Sequence, residues 1–216
     1  SDVCSSDLSG GFRERSAGIR AGIASDLGLV VPAISMRDDL SLPDRGYRVT
    51  IAGETVVEAE IPSGRLLVVP PVGEVLAEQD AGGDHGAEVV PAFDPLTGRR
   101  GAWLGHAQAD IARRRGAAVH DAEDCIARAV EAAIRRHADR LLSRDAVARL
   151  VESLRAAQPA VVEQVVPGVL TIARIQRTLQ CLLRDGVPIR PLAEVFEVMA
   201  DHAAEATEPA ALAELV

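Results

Sequence analysis

The chain has 216 residues, is 48% hydrophobic and carries a formal net charge of −9 at pH 7. A chain of this length can bury a sizeable core, whereas its acidic balance disfavours nucleic acid, because phosphate binding needs a basic surface. Three scattered cysteines form neither a disulfide framework nor a metal pattern, and no apolar run reaches the roughly eighteen residues of a membrane span. We therefore expect a globular protein with no cofactor and no transmembrane helix in this piece.

Residues 1–8 are set apart from the rest. Their sequence from residue 2 onward matches what one reading frame of a common sequencing-library adapter would encode. We interpret residues 1–8 as an assembly artefact and leave them out of the fold prediction. We then expect the natural chain to continue further on its N-terminal side.

The first part of the chain predicts one helix followed by strands. Apolar residues at helical spacing predict a helix over 12–27 that ends at Gly28. The β-branched stretch 29–36 predicts a strand. Alternating residues over 47–61 predict a hairpin that turns at 52–53, and the apolar run 65–70 predicts a third, central strand.

The glycine-rich stretch 82–86 predicts an exposed loop. Asp84, His85 and Glu88 are conceivable metal ligands or an acid–base pair, but a glycine-rich loop without partners cannot hold ligands rigidly. We interpret the stretch as a solvated loop. Convergence of these three side chains in the structure would favour the alternative, a small-ligand-binding α/β protein or enzyme that uses the 82–88 loop.

A second small α/β unit is predicted after this loop. A strand that ends near Trp103, a helix over 107–115 and a strand over 117–120 form a strand–helix–strand unit. Asp121 is a plausible N-cap of a helix that continues to about residue 142 along one apolar stripe. This helix is expected to pack on the first sheet, so the unit would be an insertion.

The remainder of the chain predicts helices only. Ser143 is the N-cap of the first of them. Apolar residues over 170–183 give the most regular helix, with Arg174, Arg177 and Arg184 on the opposite face and a stop at Gly186. The predicted fold is α+β: a split α/β subdomain (9–72 and 122–142), an inserted small α/β subdomain (73–121) and an all-helical subdomain (143–216).

Several strings resemble one known family. The L-Q-x-L-L-x-x-x-V-P-I-R string at 179–190 is similar to the corresponding segment of the type III secretion export-gate family, the FlhA proteins of flagella and the SctV proteins of injectisomes. The segments 19–20, 27–32 and 37–40 and Tyr47 resemble the start of the cytosolic domain of that family. The resemblance implies that a fourth subdomain and a membrane domain lie outside this chain.

The resemblance also implies a docking site. The family has a D-P-x-F-G-x-x-A-x-W segment, whose matching positions here are Asp94, Pro95, Gly98 and Trp103. In flagellar members the aspartate and phenylalanine, with a threonine of a downstream T-H-L triplet, line a dimple that receives chaperone-bound late substrates. Thr97 replaces the phenylalanine, and Arg128 falls at the threonine in the same gapless register. The implied partner-binding residues are Asp94, Pro95, Thr97, Gly98 and Arg128.

No catalytic motif is present, since the sequence contains no G-x-S-x-G, Walker-type loop, H-E-x-x-H or paired C-x-x-C, and we expect no enzyme. The resemblance implies the cytosolic part of an export gate, which docks export substrates, their chaperones, gatekeeper proteins and other export-apparatus subunits. It further implies a ring of nine copies at the cytoplasmic face of the bacterial inner membrane, with a multi-pass parent protein. The resemblance fits the export gate of a flagellum and that of an injectisome equally.

Overall fold

A computed structural model describes residues 5–74, 89–166 and 168–216. The helices in these ranges are α1 (Ser5–Leu27), α2 (His106–Arg114), α3 (Ala122–Arg136), α4 (Ala138–Leu141), α5 (Arg144–Ala157), α6 (Pro159–Val165), α7 (Ile172–Arg184), α8 (Leu192–His202) and α9 (Pro209–Ala213). The strands are β1 (Gly46–Ile51), β2 (Glu54–Glu60), β3 (Arg65–Val69), β4 (Val90–Phe93), β5 (Arg100–Gly105) and β6 (Ala118–His120). This content confirms the predicted α+β class.

The chain divides into two compact units. The first contains residues up to 16 and residues 35–133, and the second contains residues 17–34 and 134–216. The predicted subdomain limits at 72, 121 and 142 stay a prediction. Within the described ranges no helix is long and apolar enough to span a membrane.

The first unit contains a four-stranded antiparallel sheet in the order β4-β5-β3-β6. The predicted hairpin is confirmed as β1 paired with β2, and β3 is central in its sheet as predicted. β3 does not pair with the hairpin but belongs to the four-stranded sheet. Pro62 has no N–H to continue a ladder, and the turn at Gly64, with φ of 62°, redirects the chain into the other sheet.

Both faces of β3 are covered, which explains why its sequence is apolar throughout. On one face Val68 packs with residues of β5, α2 and the β6 entry: Ala102, Leu104, Ala109, Ala112 and Ala117. On the other face Leu67 and Val69 pack with Cys125 of α3 and with Ile61. The half-buried ring of Trp103 lies against this second cluster. α3 therefore covers this second face of the sheet.

Residues 29–36 do not form the predicted strand. Leu29 and Val31 are buried, but neither pairs with any of the strands in the described ranges. The Arg20 Nε instead donates a hydrogen bond of 2.9 Å to the Val31 carbonyl oxygen, and Pro32 has no N–H to donate. A side chain of the preceding helix thus satisfies a carbonyl that a sheet would otherwise use.

The helix predicted to run from 122 to about 142 is interrupted. His137 adopts φ −118° and ψ 30°, which leaves the helical region, so that α3 ends at Arg136 and α4 begins at Ala138. Asp121 is the N-cap of α3 as predicted, because its Oδ1 accepts a hydrogen bond of 2.8 Å from the Asp124 N–H.

The second unit is helical after Ser143, with no strand in 143–166 or 168–216, as predicted. α7 is its centre, since it contacts α4, α5 and α9. The buried side chains of α7 are Ile175, Thr178, Leu179, Leu182 and Leu183. Ser143 caps α5 through a hydrogen bond of 3.2 Å from the Ala146 N–H, and Gly186, with φ of 78°, ends α7.

Arg174 does not lie on the solvent face assigned to it. Its Nη2 donates hydrogen bonds to the carbonyl oxygens of Ala203 (2.9 Å) and Ala206 (2.5 Å), so it satisfies the chain that leaves α8. Arg177 and Arg184 are exposed, as predicted from the helix phase.

Two of the family-like strings meet in this unit. The Ile189 N–H donates a hydrogen bond of 2.8 Å to the Leu27 carbonyl oxygen, and the Arg190 Nη1 donates one of 3.1 Å to the Ser25 carbonyl oxygen. Gly28 makes this approach possible, because a Cβ there would lie 2.7 Å from the Arg190 Cα. The segment after α7 therefore satisfies carbonyls at the end of α1.

Candidate docking site

The tight turn after the edge strand β4 holds most of the predicted partner-binding residues. The Asp94 N–H donates a hydrogen bond of 2.9 Å to the Arg99 carbonyl oxygen, and the Gly98 N–H donates one of 2.9 Å to the Asp94 carbonyl oxygen. Pro95 fixes its own φ early in the turn, and Gly98 adopts φ of 67°, which a glycine tolerates without strain. The Asp94 Oδ1 also accepts a hydrogen bond of 3.1 Å from the Leu96 N–H.

Arg128 of α3 reaches this turn, and its guanidinium donates two hydrogen bonds to the Asp94 carboxylate, one to each oxygen. Its Nε lies 2.7 Å from Oδ1 and its Nη2 lies 2.5 Å from Oδ2. The Thr97 hydroxyl donates a further hydrogen bond to Oδ2. This two-pronged geometry is the strong form of an arginine–carboxylate pair. The structure thus brings together three of the five predicted residues, Asp94, Thr97 and Arg128.

The Asp94 carboxylate is charged and hidden. Its side chain is 2% exposed, compared with 24% for Arg128. Burial alone would raise the pKa of Asp94, but the hydrogen bonds from Arg128, Thr97 and the Leu96 N–H outweigh it and lower the pKa to about 2. The same pairing raises the pKa of Arg128. Both groups therefore keep their charges at neutral pH.

A second arginine fixes the turn to the sheet. The Arg99 Nη2 donates a hydrogen bond to the Pro70 carbonyl oxygen at the end of β3, and the Arg99 N–H lies 3.4 Å from the Thr97 hydroxyl oxygen. Sequence reasoning missed this residue. The available signal was its place directly after a D-P-x-x-G turn, where a long donor can reach back to the neighbouring strand.

The exposed residues of the turn are aromatic or uncharged, and none of them is acidic. Phe93, the last residue of β4, is 61% exposed, and Thr97 and Gly98 are exposed as well. Pro95 is half-buried. A partner that approaches this edge therefore meets an aromatic ring first, whereas the Asp94 carboxylate lies beneath it.

A further group of charges lies at the start of α3. Arg15 forms an ion pair with Asp124, and the His120 Nδ1 lies 3.8 Å from the Asp124 Oδ2. Burial and the positive charge of Arg128 lower the pKa of His120.

The FHIPEP family matches the chain over residues 2–216. The chain belongs to the FHIPEP family. Among its relatives, the flagellar biosynthesis protein FlhA of Bacillus subtilis is 29% identical over 205 residues, which cover 95% of this chain and 29% of that protein. The chain thus spans less than a third of the length of this relative.

Two solved structures share the fold. The CdsV and CdsO complex of Chlamydia pneumoniae aligns with a TM-score of 0.78 at 16% identity, covering 94% of this chain and 57% of that one. The nonameric SctV-C of EPEC aligns with a TM-score of 0.71 at 16% identity, covering all of this chain and 61% of that one. The resemblance inferred from the sequence strings is confirmed.

The alternative ligand site on the 82–88 loop stays a prediction. Asp84, His85 and Glu88 lie outside the described residues. Across 5–74, 89–166 and 168–216, no three His, Cys, Asp or Glu side chains come together in a way that could hold a metal ion. That Asp94, Pro95, Thr97, Gly98 and Arg128 bind a partner stays a prediction.

Proposed function

We propose that this chain is the cytosolic part of the export gate of a type III secretion apparatus, flagellar or injectisome. The observation that supports the proposal is the FHIPEP match over 215 of its residues (2–216), together with a fold shared with CdsV and SctV-C. In this role the chain docks other proteins and performs no chemistry. It uses no cofactor and no nucleic acid.

The proposal includes a place and an assembly. The parent protein is a multi-pass protein of the bacterial inner membrane, and this part lies on its cytoplasmic face. By analogy with the nonameric SctV-C, copies form a ring of nine, and by analogy with CdsV a further export-apparatus subunit binds to it. The subdomain limits 9–72 with 122–142, 73–121 and 143–216 belong to the same proposal.

The docking surface that we assign is the turn after β4, made of Phe93, Pro95, Thr97, Gly98 and the edge of Arg128, and we name it the turn surface. Two observations support it. The turn is held rigidly by Asp94 and Arg99, and it exposes a phenylalanine beside polar groups. Rigid presentation of a few exposed groups reduces the entropy that a partner must lose on binding. Export chaperones with their substrates are the proposed partners.

Binding of purified flagellar chaperones tests this function. The chain is immobilised, and Bacillus subtilis flagellar export chaperones with bound late substrates are passed over it. We expect at least one complex to bind, and Phe93→Ala to weaken binding about tenfold or more, since a central aromatic contact is often worth 2 kcal/mol or more. Val72→Ala, which changes another exposed apolar residue, is the matched control. Equal binding by both variants would refute the assigned surface.

A further inference from the structure

The Asp94 carboxylate has no hydrogen-bonding capacity left for a partner. A carboxylate offers about four lone-pair positions, two on each oxygen. Oδ1 accepts from the Arg128 Nε and the Leu96 N–H, and Oδ2 accepts from the Arg128 Nη2 and the Thr97 hydroxyl. All four positions are therefore occupied by groups of this chain.

Its charge is equally unavailable. The side chain is 2% exposed, so a partner's cation cannot approach the oxygens closely. Arg128 neutralises the carboxylate at contact distance, and the combined field of the pair falls off rapidly with distance. The guanidinium is in turn engaged on two of its three nitrogens, which weakens it as a binding group for an acidic partner.

We call this occupation of all four lone-pair positions of Asp94 its closure. Arg128 contributes more to it than the other donors do. The Leu96 N–H and the Thr97 hydroxyl belong to the turn itself and stay beside Asp94 as long as the turn is folded. Arg128 comes from α3, lies 34 residues after Asp94 in the chain, and supplies two of the four hydrogen bonds and the opposite charge. Loss of this one side chain would reopen one lone pair on each oxygen.

Resting on the proposed docking function, we propose that Arg128 is a specificity-determining residue of the turn surface. Because Arg128 occupies the Asp94 carboxylate, chaperones that need an acidic group at this position do not bind. Only partners that recognise the turn surface through Phe93 and the exposed polar groups of the turn bind to it.

Carboxyl labelling tests the closure without any partner. The folded chain is treated with a carbodiimide and glycine ethyl ester, and modified peptides are quantified by mass spectrometry. We expect the rate at Asp94 to rise about tenfold or more in Arg128→Thr, and to rise less in Arg128→Lys, which keeps the charge but lacks the planar pair of donors of a guanidinium. Asp110, an exposed carboxylate with 57% of its side chain accessible, is the internal reference. Equal labelling of Asp94 in the wild type and in Arg128→Thr would overturn the closure.

Binding then tests the specificity. Purified flagellar chaperones of Bacillus subtilis, loaded with late substrates, are compared on the wild-type chain, Arg128→Thr and the control Arg114→Ala. We expect Arg128→Thr to gain affinity about tenfold for at least one chaperone, and the added change Asp94→Asn to abolish the gain. If Asp94 becomes reactive but affinities do not change, the specificity role is wrong. If no chaperone binds any form of the chain, the proposed docking function fails, while the labelling result still decides the closure.

Discussion

The ion pair between Asp94 and Arg128 predicts a measurable pH dependence of stability. The pKa of Asp94 falls from its ordinary 3.8 to about 2 in the folded chain. A gap of this size corresponds to about 2.4 kcal/mol. Because Arg128 is partly exposed, water screens the pair, and we expect about 1–2 kcal/mol. Asp94→Asn should lower the free energy of unfolding by this amount at pH 7.

The sign of the dependence follows from the depressed pKa. A carboxylate with a folded-state pKa below its unfolded value stabilises the fold fully above about pH 4, and the stabilisation is lost as the pH falls towards 2. The difference in unfolding free energy between the wild type and Asp94→Asn should therefore shrink across this range. Other carboxylates titrate in both proteins, so their contributions cancel in the difference.

Urea unfolding followed by tryptophan fluorescence measures this difference. Trp103 is the only tryptophan and pairs with Val90 of β4, so its emission reports on the sheet that holds the turn. Curves at pH 7, 5, 4, 3 and 2.5 give the difference at each pH. A difference that stays the same from pH 7 to pH 2.5, or one below about 0.3 kcal/mol at pH 7, would refute the assigned ion pair.

Two substitutions and one labelling experiment test the packing. Leu182→Ala should destabilise the helical part by about 2–5 kcal/mol, because its side chain is 2% exposed at the centre of α7, whereas exposed Arg177→Ala should cost far less; similar melting shifts would contradict the helix phase. Gly28→Ala should cost about 2 kcal/mol or more, since φ is 76° and a Cβ would meet the backbone of residue 190; unchanged chemical denaturation would show that this close approach is absent. Burial raises the pKa of Cys125 to about 12, so iodoacetamide at pH 8 should label it only after unfolding, and equal rates before and after would exclude its burial.

Local chemistry was enough to predict elements whose signals lie within a few residues. The hairpin turn, the Asp121 and Ser143 caps and the stop at Gly186 all formed as predicted. Each depends on a side chain or a glycine acting on its own neighbours. The helix phase of α7 was predicted for the same reason, because helical periodicity is repeated over four turns.

The wrong strand predictions involve segments whose hydrogen-bonding partners lie outside the segment itself. Residues 29–36 have strand-like composition, but a strand exists only with a neighbour, and Arg20 satisfies the Val31 carbonyl instead. β3 looked like part of the hairpin because it follows it in sequence, yet its pairing partners come from β5 and β6. The local composition of residues 29–36 and of β3 does not determine which strands they pair with.

The candidate site shows the same division. The family register placed Arg128 at a docking position. That Arg128 binds Asp94, 34 residues away, could not be predicted from either segment alone, because it depends on how α3 lies across the sheet. The exposed ring of Phe93 was missed because its strand is an edge strand, a fact that appears only with the sheet order.

Protein export by a chimeric gate tests the central claim most directly. In Bacillus subtilis, the segment of FlhA that matches this chain would be replaced by the chain from residue 9 onward, and flagellin in the culture medium would be measured by immunoblot. We predict secretion above that of a strain without FlhA. An absence of secretion, although the chimera accumulates in the membrane fraction at wild-type amounts, would contradict the proposed role as part of a flagellar export gate.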